Sequence, residues 1–161
     1  MIELMTIGYE GLSLQEFFII LSRCNVETLI DVRELPLSRK KGFSKNALSQ
    51  AALQRGVGYL HVAALGCPKP IRHDYRENGD WEKYTDRFLK YLTAQELALS
   101  ELAEAARRSR CCLLCFEEDY NFCHRKYVAE AMAGFITPLR ISHLTGPIQG
   151  RVVERPALLA A

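Results

Sequence analysis

Short apolar runs alternate with segments of helical periodicity along this chain, and that alternation restricts its fold more than any other feature. The apolar runs cover residues 2–7, 28–32, 59–62, 111–116 and 139–143. Strands that alternate with helices along a sequence form a mainly parallel sheet with helices on both faces. The sequence therefore predicts one three-layer α/β domain with a mainly parallel sheet of about five strands.

Helix starts are marked by capping residues at three places. Residues 13–16 and 93–96 have the spacing of a capping box, which predicts a first helix and a later one that ends near Arg108. Asn121 is a candidate N-cap for the last helix. That start would place Cys123 at the second helical position.

Two stretches have neither strand nor helix periodicity. Residues 66–79 contain two glycines and two prolines, and they are predicted to form a loop of about 14 residues before a helix that Asp80 caps. Residues 145–161 are predicted to form a loosely packed tail, which leaves residues 1–144 as the folded domain. A length of 161 residues fits a single domain of this kind.

The composition is that of an ordinary globular protein, with 48% hydrophobic and 25% charged residues. No apolar run approaches the ~20 residues that span a bilayer, and the first residues lack the pattern of a signal peptide. The six cysteines do not have the spacing of a disulfide framework, which indicates free thiols in a reducing compartment. We therefore expect a cytoplasmic protein without membrane contact, for which the sequence indicates neither a cofactor nor an oligomeric state.

Positive charge is unevenly distributed, although the formal net charge is only +2. One basic stretch spans residues 33–45 and a second spans residues 69–76. Such stretches are often solvated surface, but two of them on one small domain suit an anionic small molecule or a nucleic acid. For a nucleic acid, Tyr75 and Trp81 are available to stack on bases.

The carboxyl edge of the predicted sheet is the expected place for a ligand, because open parallel sheets bind ligands beyond the carboxyl ends of their strands. Three predicted strands deliver small or polar residues to that edge, and the start of the last helix adds three more. The candidates are Gly8, Tyr9, Asp31, Arg33, Cys115, Glu117, Cys123, His124 and Arg125.

Cys123 has the strongest chemical case among these candidates. A helix start and the neighbouring His124 and Arg125 favour a thiolate, although a small core residue is the other interpretation. Arg33 and Arg125 can each hold an anion bidentately or form an ion pair within the protein. Glu117 and His124 can transfer protons or serve the structure.

Cys115 is a weaker candidate nucleophile, because carboxylates follow it at residues 117–119 and would repel an anionic sulfur intermediate. Seven residues separate Cys115 from Cys123, which is not the usual spacing of a zinc knuckle, and we predict no metal site. The chain also lacks the glycine-rich dinucleotide motif, the Walker phosphate loop and the Gly-x-Ser-x-Gly elbow.

Several motifs, in order along the chain, are similar to one known family. They are Thr6-Ile7-Gly8, Leu29-Ile30-Asp31-Val32-Arg33, Pro36 with Ser38-Arg39, Phe43, Leu65-Gly66, and Leu113-Leu114-Cys115-Phe116-Glu117 leading to Cys123-His124-Arg125. From about residue 6 to residue 132 the chain resembles the family called domain of unknown function 488. The resemblance implies a Rossmann-like domain of bacteria and archaea without an established reaction, and it adds Ser38 and Arg39 to the candidate ligand-binding residues. Cys67 departs from the family, which tends to have a second glycine at that position.

Three functional hypotheses remain open. The first is an enzyme that binds a phosphate-bearing ligand, such as a nucleotide or nucleic-acid end, through Arg33, Arg39 and Arg125. Its catalytic residues would come from Cys115, Glu117, Cys123 and His124. The second is a non-catalytic module that binds nucleic acid. The third is sulfur-transfer or redox chemistry at Cys123, for which the strand at 29–33 has a weaker likeness to rhodanese-type sulfurtransferases.

Overall fold

The computed structural model describes residues 1–146 and 154–160, which build a six-stranded sheet with helices on both faces. Five strands run parallel, and the sixth pairs antiparallel with the fifth. The predicted three-layer α/β domain with a mainly parallel sheet is confirmed. The strands are β1 (Ile2–Gly8), β2 (Thr28–Asp31), β3 (Gly58–His61), β4 (Cys111–Cys115), β5 (Leu139–Leu144) and β6 (Glu154–Ala160), in the spatial order β3-β2-β4-β1-β5-β6. The helices are α1 (Leu14–Arg23), α2 (Lys45–Gln54), α3 (Lys69–Asn78), α4 (Trp81–Thr93), α5 (Glu96–Arg108) and α6 (His124–Ala131).

The two faces of the sheet are covered by separate apolar clusters. Phe17 and Leu48, on α1 and α2, pack on one face, whereas Phe88 and Val128, on α4 and α6, pack on the other. The chain leaves β1 on the first side through α1 and leaves β4 on the second side through α6. Because β1 and β4 are neighbours, a crevice opens between their carboxyl ends, at a topological switch point where ligands of such sheets bind.

Capping predictions for the first and fifth helices had different outcomes. At α1 the capping box is present, since Ser13 Oγ accepts from the Glu16 backbone N–H at 3.1 Å and Glu16 accepts from the Ser13 N–H at 3.2 Å. The capping box predicted at residues 93–96 is wrong, because the Thr93 hydroxyl bonds back to the Lys90 carbonyl at 2.7 Å. Gln95 takes the N-cap position of α5.

The predicted long loop at residues 66–79 is also wrong, because it contains α3. Pro68 is the N-cap and Pro70 lies in the first turn, where helix N–H groups have no intrahelical partner and proline is tolerated. Gly79 ends the helix in the left-handed conformation at φ 66°, a common C-terminal stop. The residues that suggested a loop are therefore the residues that bound a helix.

The C-terminal stretch is described only in part. Of the predicted tail at 145–161, residues 147–153 and 161 lie outside the described residues, and residues 154–160 form β6. Within the described ranges, none of the helices is both long enough and apolar enough to cross a membrane. All six cysteines are free thiols.

Candidate functional site

A cleft of about 340 Å³ opens at the carboxyl edge of the sheet. Its walls come from the segments after β1, β2 and β4, from α3 and from the start of α6. Seven of the predicted site residues line it: Tyr9, Arg33, Ser38, Arg39, Cys115, Glu117 and His124. The other four, Gly8, Asp31, Cys123 and Arg125, do not line the cleft but contact residues that do, as described below.

The floor of the cleft is the segment that follows β4. All five residues of β4 are buried. The segment stays attached to the end of β1, since Tyr9 donates to the Cys115 carbonyl at 3.2 Å and Glu10 donates to the Phe116 carbonyl at 2.8 Å. These bonds hold Cys115 at the cleft floor, where its Sγ lies 3.3 Å from Glu117 Oε2.

Arg125 supports the segment after β4 that forms this floor. Its side chain is fully buried, and it donates to the Glu117 carbonyl at 2.5 Å and the Glu118 carbonyl at 3.2 Å. Its Nε donates to the Thr6 hydroxyl at 3.2 Å. A Cβ on Gly8 would overlap the Glu117 carbonyl, so glycine is required there for the floor to approach β1. Arg125 and Gly8 thus position the floor and do not face a ligand.

Cys123 is the N-cap of α6, so the prediction of a second helical position is wrong. Asp119 accepts from the Asn121 backbone N–H at 2.9 Å and caps a separate 3-10 turn over Tyr120–Phe122. Cys123 follows that turn in extended conformation, with φ −139° and ψ 137°. Its side chain is only 1% exposed, and the helix begins with His124.

His124 brings the two cysteines together across the sheet edge. Its Nε2 donates to the Val32 carbonyl at 2.7 Å, since a carbonyl can only accept. Its Nδ1 therefore faces the sulfurs, at 3.7 Å from Cys115 Sγ and 4.0 Å from Cys123 Sγ. The two sulfurs and the Nδ1 atom all lie within 4.8 Å of one another.

The ionisable groups of this cluster shift one another's pKa values. Burial by itself would raise the pKa of Cys123, but the hydrogen bond from Cys115 and the positive charges of Arg125 and His124 bring it well below the usual value. The same hydrogen bond, together with burial, raises the pKa of Cys115. Burial would lower the pKa of His124, but contact with Cys123 raises it, and burial is the main reason that the pKa of Glu117 is raised to about 7. The pKa values of the two thiols are therefore shifted in opposite directions, and that of Cys123 is the lower one.

Asp31 and Arg33 form an internal ion pair beside the cleft. Arg33 Nε and Nη2 meet the two Asp31 carboxylate oxygens at 2.8 and 2.7 Å. Arg33 Nη1 also donates to the Phe43 carbonyl at 2.7 Å and to the Tyr9 hydroxyl at 3.2 Å. The Tyr59 hydroxyl donates to Asp31 at 2.5 Å. The Arg33 donors are thus directed at protein acceptors.

The cations that remain available line the mouth of the cleft. Arg39 and Arg76 are exposed, and neither forms an ion pair or hydrogen bond with another residue in the described ranges. Arg72 pairs with Glu34 at 3.1 Å, and Lys40 donates to a neutral backbone carbonyl at 3.2 Å. Lys40, Arg72 and Arg76 belong to the basic stretches noted in the sequence, but nothing there indicated that α3 would join the two stretches in one cleft.

Two other predicted features have internal roles. Ser38 shapes the loop after β2, since its hydroxyl accepts from the Lys40 N–H at 3.1 Å. The rings of Tyr75 and Trp81, expected to be available for bases, contact each other at 5.3 Å, and Trp81 stacks on Tyr84 at 4.4 Å.

Comparison with known proteins gives one match. The family model described as "Domain of unknown function DUF488" covers residues 13–132, which is most of the chain. The matched region includes every candidate site residue except Gly8 and Tyr9. No curated protein and no solved structure matches the chain.

Proposed function

The chain belongs to the DUF488 family, and we propose that it is an enzyme that binds a phosphate-bearing ligand, such as a nucleotide, in the cleft at the carboxyl ends of β1, β2 and β4. The main observation behind the proposal is that one cleft combines two features. Cations without a carboxylate partner surround its mouth, and a thiol, a carboxyl group and an imidazole line its floor.

The charge of the lining supports an anion. Arg33 and Arg72 are neutralised by Asp31 and Glu34. Arg39 and Arg76 have no such partner among the described residues, and Lys40 contacts a neutral carbonyl and the Phe43 ring. Guanidinium groups bind phosphate oxygens in a bidentate manner, and charged groups that converge on one concave site raise the local concentration of an oppositely charged ligand.

The shape of the cleft supports a ligand larger than inorganic phosphate. A volume of about 340 Å³ lies at the lower end of the range of ~300–1,000 Å³ for small-molecule pockets. Leu35, Leu37 and Phe116 also line it and are 59%, 66% and 43% exposed. A ligand with an apolar, flat part would cover these side chains, which favours a nucleotide over a free phosphate.

The floor supports catalysis over passive binding. Cys115, Glu117 and His124 line the same cleft as the cations, so these residues would lie beside a bound ligand. A nucleophile, a proton-transfer group and an anion-binding group within one pocket are the usual components of an active site. Arg125 and Arg33 contribute as positioning residues, because their donors are directed at protein oxygens.

The test compares the charge-removing double variant Arg39→Gln/Arg76→Gln with a matched control. Arg23→Gln removes one exposed charge from the end of α1, near the opposite edge of the sheet. Binding of pyrophosphate, mononucleotides and a short single-stranded oligonucleotide would be measured by calorimetry at low and high salt. Hydrogen bonds to charged groups contribute about 1.5–3 kcal/mol each, so the double variant should lose at least roughly tenfold in affinity.

Unchanged affinity in the double variant, with Arg23→Gln as a baseline, would reject the anion site. Turnover of bound nucleotides would be followed by phosphorus NMR in wild type and in Cys115→Ser. If the protein bound only the oligonucleotide and turned over no nucleotide, a nucleic-acid-binding module would become the better proposal than an enzyme.

A further inference from the structure

Three donor atoms suited to a transition metal meet at the floor of the cleft. Cys115 Sγ, Cys123 Sγ and a His124 ring nitrogen lie within 4.8 Å of one another, the one such grouping found among the described residues. The three residues are 5%, 1% and 5% exposed. We propose that this cluster binds one Zn²⁺ ion through the two thiolates and His124 Nδ1, with the fourth coordination position directed at the cleft.

The spacing of the donor atoms is close to that of a zinc site. Bonds of about 2.3 Å to sulfur and 2.0–2.1 Å to nitrogen place sulfur and nitrogen about 3.5 Å apart in a tetrahedron. His124 Nδ1 is 3.7 Å from Cys115 Sγ and 4.0 Å from Cys123 Sγ. Each sulfur–nitrogen pair therefore needs to close by only about half an ångström or less to reach coordination distance.

The orientation of His124 leaves the correct nitrogen free. Its Nε2–H donates to the Val32 carbonyl at 2.7 Å, which directs the Nδ1 atom toward the two sulfurs. Histidines that bind metals commonly donate their other ring N–H to a carbonyl or carboxylate, which fixes the ring and raises its basicity. The imidazole also makes a T-shaped contact with Phe88, with ring centroids 5.3 Å apart, so the ring is held by a second neighbour.

The surrounding charges are balanced when the ion is bound. The charges of two thiolates equal the charge of one Zn²⁺ ion, and the buried Arg125 lies close enough to offset a charge on Glu117. Glu117 Oε2 is 3.3 Å from Cys115 Sγ, and Arg125 donates to the Glu117 carbonyl, so all these groups are close neighbours. A neutral cluster avoids the high cost of uncompensated buried charge.

The ligand set and its exposure indicate the kind of metal site. Thiolate and imidazole donors suit zinc and other borderline or soft metals, whereas magnesium and calcium prefer oxygen. Catalytic zinc sites have three protein ligands and an open position, whereas structural sites are closed by four. Cys115 and His124 line the cleft and Glu117 stands beside them, so the open position faces the proposed anion site. Only that last relation rests on the proposed function.

The test uses Co²⁺ as a spectroscopic probe on the full chain, freed of metal by a chelator and kept reduced. We expect one equivalent of Co²⁺ to produce thiolate-to-cobalt charge-transfer absorption and the visible bands of tetrahedral cobalt, both removed by Zn²⁺. Cys115→Ser, Cys123→Ser and His124→Asn should each lose more than the roughly 10–100-fold in affinity that loss of an outer-shell partner costs. Cys24→Ser, at the C-cap of α1, is the matched control and should bind as wild type.

A second measurement uses the wild-type protein alone, so it does not depend on whether the variants fold. X-ray absorption of the zinc-loaded wild type should give two sulfur neighbours at about 2.3 Å and one nitrogen at about 2.0–2.1 Å. A first shell of oxygen and nitrogen alone, or cobalt spectra without thiolate charge transfer, would overturn the inference. Arg39→Gln/Arg76→Gln should bind Co²⁺ normally. Loss of metal binding with anion binding intact would therefore reject the metal site alone, and the reverse pattern would reject the proposed anion site alone.

Discussion

Replacing Asp31 with leucine should destabilise the fold by about 3–5 kcal/mol, because it would leave the charge of Arg33 buried without a partner. Arg33 is 6% exposed and Asp31 is fully buried. The carboxylate accepts two bonds from the Arg33 side chain, one from the Arg33 backbone and one from Tyr59. Once the carboxylate is removed, the Arg33 side chain keeps, among the described residues, only the Phe43 carbonyl and the Tyr9 hydroxyl as hydrogen-bond partners.

The double variant Asp31→Leu/Arg33→Met distinguishes the loss of the whole ion pair from the loss of one partner. Replacing a whole buried ion pair by apolar residues is often close to neutral, whereas removing one partner is not. The double variant still leaves the Phe43 carbonyl and the Tyr9 hydroxyl without Arg33, so some loss remains. We expect a loss no larger than that of Asp31→Leu alone, and far below the sum of the two single variants.

Urea unfolding measures these differences. With a slope of about 2 kcal/mol per molar urea, the loss for Asp31→Leu lowers the midpoint by roughly 2 M. Asp74→Asn is the control, because Asp74 pairs with Lys83 and Arg87 on the surface, where ion pairs contribute little to stability. An Asp31→Leu protein that is as stable as this control but binds nucleotides poorly would refute the reasoning and make the pair a ligand site.

Two further substitutions test the floor and its neighbourhood. Gly8→Ala should lower the free energy of unfolding in urea by at least about 1–3 kcal/mol and weaken Co²⁺ binding, because the added Cβ overlaps the Glu117 carbonyl. Gly134→Ala, where the added Cβ meets open space, is the control and should have neither effect. Burial, with the positive charges of Arg125 and Lys126, lowers the pKa of His143 to about 4. Between pH ~6.5 and ~4 the unfolded chain therefore binds more protons than the folded protein, and the free energy of unfolding decreases as the pH falls. Wild type should therefore lose roughly 2–3 kcal/mol more than His143→Gln between pH ~7 and ~4.5 in urea unfolding, and equal losses would contradict this assignment.

The order of strands and helices was predictable because hydrophobic periodicity reports which face of each element is buried. The errors occurred where one residue type serves two structures. Pro68, Pro70 and Gly79 are equally typical of loops and of helix ends, and here they bound α3. Asp119 and Asn121 are both good caps, and the choice between them moved Cys123 from the first turn to the N-cap.

The location of the site was predictable from the sequence, but the directions of its side chains were predictable only in part. Residues two apart in an extended segment point to the same side, which was a usable signal that Asp31, at the end of β2, would pair with Arg33 just after it. No comparable signal existed for Arg125, whose three acceptors lie on two other segments of the chain. Arg72 and Arg76 reach the cleft only because α3 packs beside the loop after β2, a relation that depends on tertiary structure.

The spacing of Cys115 and Cys123 argued against a metal site because knuckle spacing assumes that two ligands come from one tight loop. Here the two ligands come from a strand end and a helix start, and the segment between them is folded back by the Asp119-capped turn. Arg125, two residues after Cys123, binds the carbonyls of Glu117 and Glu118, just after Cys115, and so helps to hold the two ends together. The arginine that was expected to hold the ligand therefore supports the cleft floor, and replacing Arg125 should change the positions of the floor and of the cysteine pair together.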